Sequence, residues 1–167
     1  CALYCSGTTT NSIEHGTLHD VTNLVYVGGS TPSVSLLNTI LAGVTTNVGC
    51  QTEAVVITNG SAAIFQTVGA GAHYLADNSP LRDAGSTNIS ASLRAAFASM
   101  TTYPPTVLSN SLFTTSATLS PVTPRDTDTP DIGYHYMAVD HALCFLTVTN
   151  RSTLAIVPGT VIAGFDA

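Results

Sequence analysis

Three aspartates near the middle of the C-terminal half form the densest group of chemically active side chains. Asp126, Asp128 and Asp131 lie within six residues, separated by threonines, and Arg125 precedes them. Carboxylate oxygens are the ligands that Ca²⁺ prefers, although the further ligands and the final Glu of an EF-hand loop are missing. Aspartates in such a segment also cap turns, and a neighbouring arginine can pair with them. We therefore predict turn-capping aspartates, with a calcium site as the alternative and no other cofactor.

The histidines offer a weaker metal-binding pattern. His15 and His19 are four residues apart, and Glu14 and Asp20 flank them. On a helix both imidazoles would share one face, as a zinc site requires. However, Gly16 and the residues after His19 favour an extended segment, in which positions four apart are separated by about 13 Å. The other histidines are predicted to be buried or in turns: His73, His135 and His141.

No motif of an established enzyme class is present. Asp83 follows Pro80 and Arg82 and precedes Gly85, which predicts a turn. A glycoside hydrolase needs two carboxylates about 5 to 10 Å apart, and ten acidic residues leave that open. A polysaccharide lyase also needs a base, but lysine is absent and the four arginines are isolated. The nucleophile pattern GxSxG is absent as well.

Four cysteines bear on the cellular compartment: Cys1, Cys5, Cys50 and Cys144. None belongs to a CxxC motif, so disulfides in an oxidising compartment are favoured over zinc binding. All three possible pairings stay open. The chain begins with cysteine and shows no signal-peptide pattern, which is typical of a processed fragment or an excised domain.

Composition excludes several classes of function. Only 8% of the 167 residues are charged and the net charge is −6, so no basic stripe for nucleic acid can form. No apolar run approaches the 18 residues of a membrane span. With 26 Thr and 16 Ser, a quarter of the chain carries a small hydroxyl group. These values favour a secreted, extracellular β-protein.

Short β-branched runs bounded by turn residues predict strands. They lie at 21–28, 34–43, 54–65, 145–148 and 154–163. Three asparagines, Asn23, Asn38 and Asn59, mark a repeat of 15 and 21 residues, which is within the range of solenoid coils. Helical spacing from Leu93 to Met100 predicts one short helix that ends before Tyr103. Residues 106–130 are predicted to be a Pro- and Thr-rich wrapping loop.

This order predicts a mainly β fold, a parallel β-helix, in one domain of residues 1–167. Its coils would occupy 11–85, the helix and wrapping loop 86–136, and the terminal strands 137–167. Two phrases carry a family resemblance: GAGAHYLADNSPLRDAG at 69–85 and RDTDTPDIGYHY at 125–136. They resemble the C-terminal part of bacterial secreted right-handed parallel β-helix surface proteins, which have pectate-lyase-like coils. The resemblance spans about residues 20–165 and implies this fold and export, but no defined activity.

The functional expectation rests on the ends of such a solenoid, which present unpaired backbone groups. The apolar C-terminal strand, the scarcity of charge and a mean hydropathy of +0.32 predict contact with other copies. A head-to-tail contact that does not close makes a filament. We therefore expect a non-catalytic structural subunit of an extracellular fibre or surface appendage. The alternatives are an adhesin-like module that binds glycans or other surface proteins, and a polysaccharide lyase or glycoside hydrolase.

Overall fold

The protein is described by a computed structural model that covers residues 2–6, 10–28, 33–45, 50–58, 64–69 and 71–166. Within these ranges the backbone forms short strands and one short helix, α1 (Ala91–Phe97). The strands are β1 (Leu3–Ser6), β2 (Thr10–Glu14), β3 (Thr17–His19), β4 (Val25–Gly28), β5 (Ser33–Leu37), β6 (Ile40–Ala42), β7 (Cys50–Glu53), β8 (Val56–Thr58), β9 (Phe65–Val68), β10 (Gly71–Leu75), β11 (Met100–Thr101), β12 (Thr106–Ser109), β13 (Leu112–Phe113), β14 (Ala117–Leu119), β15 (Tyr136–Met137), β16 (His141–Cys144), β17 (Thr147–Val148), β18 (Leu154–Ile156) and β19 (Ile162–Gly164).

Parallel pairing dominates both halves of the chain. In the N-terminal half, β1 pairs with β4, and the sheets β2-β5-β7 and β3-β6-β8 are parallel. In the C-terminal half, β12-β16-β19, β13-β17 and β14-β18 are also parallel. Between these halves lie the antiparallel pairs β9-β10 and β11-β15, together with α1. The prediction of a mainly β chain with one short helix is confirmed.

The prediction of a right-handed parallel β-helix is wrong. The described strands form eight separate sheets of two or three strands each, and two of these sheets are antiparallel. A β-helix needs sheets that continue from one coil to the next, whereas here α1 and the antiparallel pairs separate the two parallel halves. Short β-branched runs between polar turns specify where strands and turns lie. They do not specify how many strands join one sheet, which is why the pattern misled the prediction.

Local sequence signals explain the helix. Ser90 is the N-cap, and its hydroxyl accepts a hydrogen bond from the Leu93 N–H at 3.1 Å. Phe97 is the buried residue of the helix, which ends there, and Met100 already belongs to β11. The wrapping loop predicted at 106–130 is partly wrong, because its first half contains β12, β13 and β14. No helix of the described residues has the length and apolarity to cross a membrane.

Left-handed residues form the corners between strands of the N-terminal sheets. His15, Asn38 and Ala54 have φ values of 50°, 50° and 49°, and each separates two consecutive strands. The parallel registers of the flanking strands bring these corners next to one another. Asparagine adopts this conformation more readily than most residues, since its short polar side chain can bond locally. The run at 34–43, predicted as one strand, is therefore divided at Asn38 into β5 and β6.

Two apolar clusters form the described core. Leu24, Val34, Leu36 and Leu41 are fully buried inside the first, and Cys50 packs at its edge. Each buried aliphatic side chain of this size contributes roughly 1.5 to 3 kcal/mol through removal of apolar surface from water.

The second cluster joins the strands to the loops. Ile40 and Ala42 of β6 pack with Leu75, and with Leu81 and Ile132 from two loops that are distant in sequence. Burial of Leu81 and Ile132 therefore holds those loops against the N-terminal sheets.

A buried ion pair ties the C-terminal sheets together. Asp140 is fully buried, and both of its carboxylate oxygens accept from Arg125, at 2.5 and 3.0 Å. The same carboxylate accepts the backbone N–H groups of Val122, Thr123 and Val161 at 2.8 to 3.1 Å. These bonds hold the pKa of Asp140 well below its ordinary value, and the hydrogen bonds from Arg125 have the largest effect. One carboxylate thus joins the 122–125 loop to the start of β16 and to the residue before β19.

We expect Asp140→Asn to lower the free energy of unfolding by about 3 kcal/mol, because it leaves Arg125 without its charged partner. Urea unfolding followed by circular dichroism measures this change. Asp77→Asn is the matched control, since Asp77 is exposed and accepts one side-chain hydrogen bond, from Gln66. Its effect should stay within about 0.5 kcal/mol. Equal losses in the two variants would contradict a central role for Asp140.

Candidate functional site

The two phrases that carry the family resemblance lie against each other in the structure. Gly85 N–H donates to the carbonyl of Pro130 at 2.8 Å, and Ile132 N–H donates to the carbonyl of Leu81 at 2.9 Å. A Cβ at position 85 would lie 2.5 Å from the Pro130 oxygen, so only glycine permits this approach. The segments around residues 81–86 and 124–135 therefore form one unit, and this unit is the candidate functional site.

Asn38 joins this unit to the N-terminal sheets. Its side chain has no exposed surface; Nδ2 donates to His15 Nε2 at 2.8 Å and to the Ser86 carbonyl at 2.9 Å. Its Oδ1 accepts the Ser86 N–H at 2.7 Å. On the backbone, the Asn38 carbonyl accepts from Gly133 at 2.9 Å, and the Asn38 N–H donates to Glu53 at 3.1 Å. One buried asparagine therefore bonds to both loops of the site and to two strand corners.

His15 extends the network to the acidic residues. Its Nε2 accepts from Asn38, so its proton lies on Nδ1, which donates to the Asp131 carbonyl at 3.1 Å. Burial, and then the charge of the nearby His135, lower the pKa of His15 from 6.5 to about 4. His15 is therefore a neutral, hydrogen-bonded part of the site at physiological pH.

His135 has a partner at each ring nitrogen. Its Nδ1 lies 3.0 Å from the Gly133 carbonyl, and its Nε2 lies 2.6 Å from Asp126 Oδ2. The ring therefore joins the Gly133 backbone to the Asp126 carboxyl group. The Phe97 ring stacks on it, with centroids 4.2 Å apart and planes 12° apart. Phe97 also meets His15 edge-on at 4.6 Å, which places α1 over both histidines.

The two buried aspartates are occupied by bonds within the protein. Asp126 Oδ2 also accepts the Asp131 N–H at 2.8 Å. Asp131 in turn accepts the Asp83 N–H at 2.8 Å and the hydroxyl of Thr102. Burial is the main cause that raises the pKa of Asp131, and these two bonds act against it. Both carboxylates therefore hold the loops of the site in place.

Oxygen atoms of Asp126 and Asp131 and a nitrogen of His135 lie within 4.8 Å of one another, as in a metal centre. A metal ion at His135 Nε2 would replace the hydrogen bond between this nitrogen and Asp126. Without a metal, Asp126 joins His135 to the Asp131 backbone, so the cluster also supports the fold.

A pocket of about 90 Å³ lies above these groups. Asp83, Asp126, Asp128 and Asp131 line it, together with Tyr103. Desolvation, followed by the charges of Asp128 and Asp131, raises the pKa of Asp83. Ligand pockets typically measure about 300 to 1,000 Å³, so this one accommodates a cation or water but no sugar ring. Calcium at Asp126, Asp128 and Asp131 stays a prediction; the three residues meet at this pocket, and Asp83 joins them.

The other predicted site residues are dispersed. Asn23 is exposed, Asn59 lies outside the described residues, and the side-chain partners of Asn38 are His15 and Ser86. Cys144 is a buried free thiol in the part of the chain that the structure describes. Cys1 lies outside the described residues, and Cys5 is described only by its backbone in β1. The disulfide prediction stays a prediction.

His15 and His19, whose spacing gave only a weak metal-binding pattern, lie in separate places in the structure. His15 belongs to the buried network, whereas His19 lies against His73, which is 54 residues away. Sequence reasoning missed Asp83 as a pocket residue and Phe97 as the ring that covers both buried histidines. The helical spacing did identify Phe97 as inward-facing, but nothing in the sequence indicated its partners.

Comparison with protein-family models, with curated proteins and with solved structures found no match to this chain. The resemblance to secreted surface proteins therefore stays a prediction from the two phrases.

We expect acid to destabilise the protein through His15. The unfolded chain binds a proton at this residue near pH 6.5, whereas the folded protein does so only near pH 4. Stability is therefore complete above pH 6.5 and is lost as the pH falls toward 4, by about 3 kcal/mol in total. His15→Asn suits the positive φ but does not titrate, so its unfolding free energy should change less across this window.

Urea unfolding of both chains at half-unit pH steps from 4 to 7 measures the difference. The contributions of the acidic residues are common to both chains and cancel in the comparison. Identical slopes for the two proteins would contradict the neutral, buried state of His15.

Proposed function

We propose that the protein is a non-catalytic structural subunit that assembles head to tail, through its strand edges, outside the cell. The observation that carries this proposal is a pair of matching strand edges. β1, β2 and β3 are consecutive, and within the described residues each pairs on one side only, with β4, β5 and β6. Their first residues, Leu3, Thr10 and Thr17, are spaced seven apart.

The C-terminal half has an edge of the same kind. β17, β18 and β19 are consecutive, and among the described strands each pairs on one side only, with β13, β14 and β16. They begin at Thr147, Leu154 and Ile162, with spacings of seven and eight residues. Both edges belong to parallel sheets, so the C-terminal edge of one copy can add to the N-terminal edge of the next. Such a contact is heterologous and repeats without closing, which makes a filament.

Exposed apolar side chains favour the C-terminal half of the chain as a contact surface. The large apolar side chains exposed among the described residues all lie between Val107 and Val161. The most exposed of them in the parallel sheets and their corners are Leu112 at 61%, Phe145 at 71% and Ile156 at 55%. A surface with few charges and such side chains is typical of protein that is covered by another copy.

The pocket geometry favours this function over a sugar-cleaving enzyme. The acidic pocket is too small for a sugar ring, and Asp126 and Asp131 are occupied by the loops that they hold. The low charge, the hydroxyl-rich composition and the two phrases support an extracellular location.

Phe145→Asn tests assembly without threatening the fold. Phe145 has a φ of 50° and is next to Asn110, the matching corner residue, which also has a φ of 50°. Asparagine suits this conformation, so the variant should unfold at the same temperature or higher. Removal of an exposed aromatic anchor should weaken association by about tenfold or more. Sedimentation velocity over a concentration series measures this change, and negative-stain microscopy shows the filaments.

Met137→Gln is the matched control. Met137 is 65% exposed, but it lies on β15 in an antiparallel pair outside the parallel sheets. The Met137→Gln variant should therefore assemble as the wild-type chain does. A wild-type chain that sediments as a monomer at every concentration would overturn the proposal and favour a monomeric adhesin. Equal weakening by the two variants would show non-specific apolar association instead.

A further inference from the structure

A pair of histidines outside the candidate site lies close enough to bind one metal ion. His19 of β3 and His73 of β10 place Nδ1 and Nε2 3.0 Å apart, with ring centroids 5.1 Å apart and planes at 81°. Both side chains are partly exposed, and 29% of the His19 side chain is accessible. Solvent can therefore reach the two facing nitrogens.

Neighbouring groups hold both rings in position. Phe65 packs against His19 and His73, with centroids 5.9 and 5.0 Å away. The backbone N–H of His73 donates to the hydroxyl of Tyr136 at 3.2 Å, which fixes the position of His73 on β10. The geometry of the pair is thus set by the fold rather than by a flexible loop.

The proton arrangement also favours a ligand. Asp20 Oδ2 lies 3.4 Å from His19 Nε2, and this carboxylate favours a proton on that nitrogen. The other nitrogen, Nδ1, then presents its lone pair to His73. A carboxylate behind the outer nitrogen of a histidine is the usual positioning partner at metal sites.

We propose that His19 Nδ1 and His73 Nε2 chelate one divalent transition metal ion that prefers imidazole, with Zn²⁺ as the representative, and that Asp20 positions His19. Zinc–nitrogen bonds are about 2.0 to 2.1 Å long, so tetrahedral nitrogen ligands lie about 3.3 Å apart, close to the observed separation. The ion replaces the proton between the two nitrogens, and that proton moves to His73 Nδ1. Water fills the remaining coordination positions. The acidic pocket takes no part in this site, and His19 is the last residue of β3, one of the edge strands of the proposed assembly.

Zinc titration calorimetry and nitrogen-15 NMR of the imidazoles test the proposal on the complete chain. We expect one Zn²⁺ per chain, with nitrogen-15 shifts at the coordinating His19 Nδ1 and His73 Nε2 and at His73 Nδ1, which gains the proton, but not at His19 Nε2. His73→Gln should weaken binding by more than tenfold. Asp20→Asn suits the φ of 54° at that position and should weaken binding by about tenfold.

Asp128→Asn is the control, because it alters the acidic pocket and leaves the histidine pair intact. It should leave zinc affinity unchanged. Absence of zinc binding in the wild-type chain would overturn the proposal. Binding that survives His73→Gln but is lost in Asp128→Asn would also overturn it, because the ion would then occupy the acidic pocket.

Discussion

The buried amide of Asn38 is the constraint on which the centre of this molecule depends. A side chain with no exposed surface must satisfy its donors and its acceptor inside the protein. Asn38 does so with His15 and Ser86, and its backbone carbonyl accepts from Gly133. Its left-handed corner also lets β5 and β6 follow one another closely. Asn38 therefore holds the strand corner, the loops and the histidine network together.

The hydrogen bonds beneath the acidic pocket follow from this arrangement. Because Asn38 donates to His15, the His15 proton must point at the Asp131 carbonyl and the ring stays neutral. Next to it, His135 pairs with Asp126 under the stacked ring of Phe97. The exposed aspartates, Asp83 and Asp128, then meet at the pocket, where they repel one another. The buried carboxylates thus support the fold, whereas the exposed carboxylates line the pocket.

Sequence reasoning predicted the local structure but not how the strands pair into sheets. The helical spacing from Leu93 to Met100 was enough to predict the helix, because this signal acts over a few residues. Asn38 was recognised as an unusual residue within a strand run, but its partners are 23 and 48 residues away. The sheet organisation was mispredicted because the order in which short strands pair depends on contacts between distant segments. The histidine pair was missed for the same reason.

Native-state hydrogen exchange of Asn38→Gly tests the central role of Asn38 most directly. Glycine adopts the left-handed corner without strain, so the variant removes only the side-chain bonds. The amides of Gly85, Ser86 and Gly133 should lose protection together, while those of β16 keep theirs. Unchanged protection at Gly85 and Gly133, with loss confined to Ser86, would show that the two loops are held without Asn38 and would contradict this account.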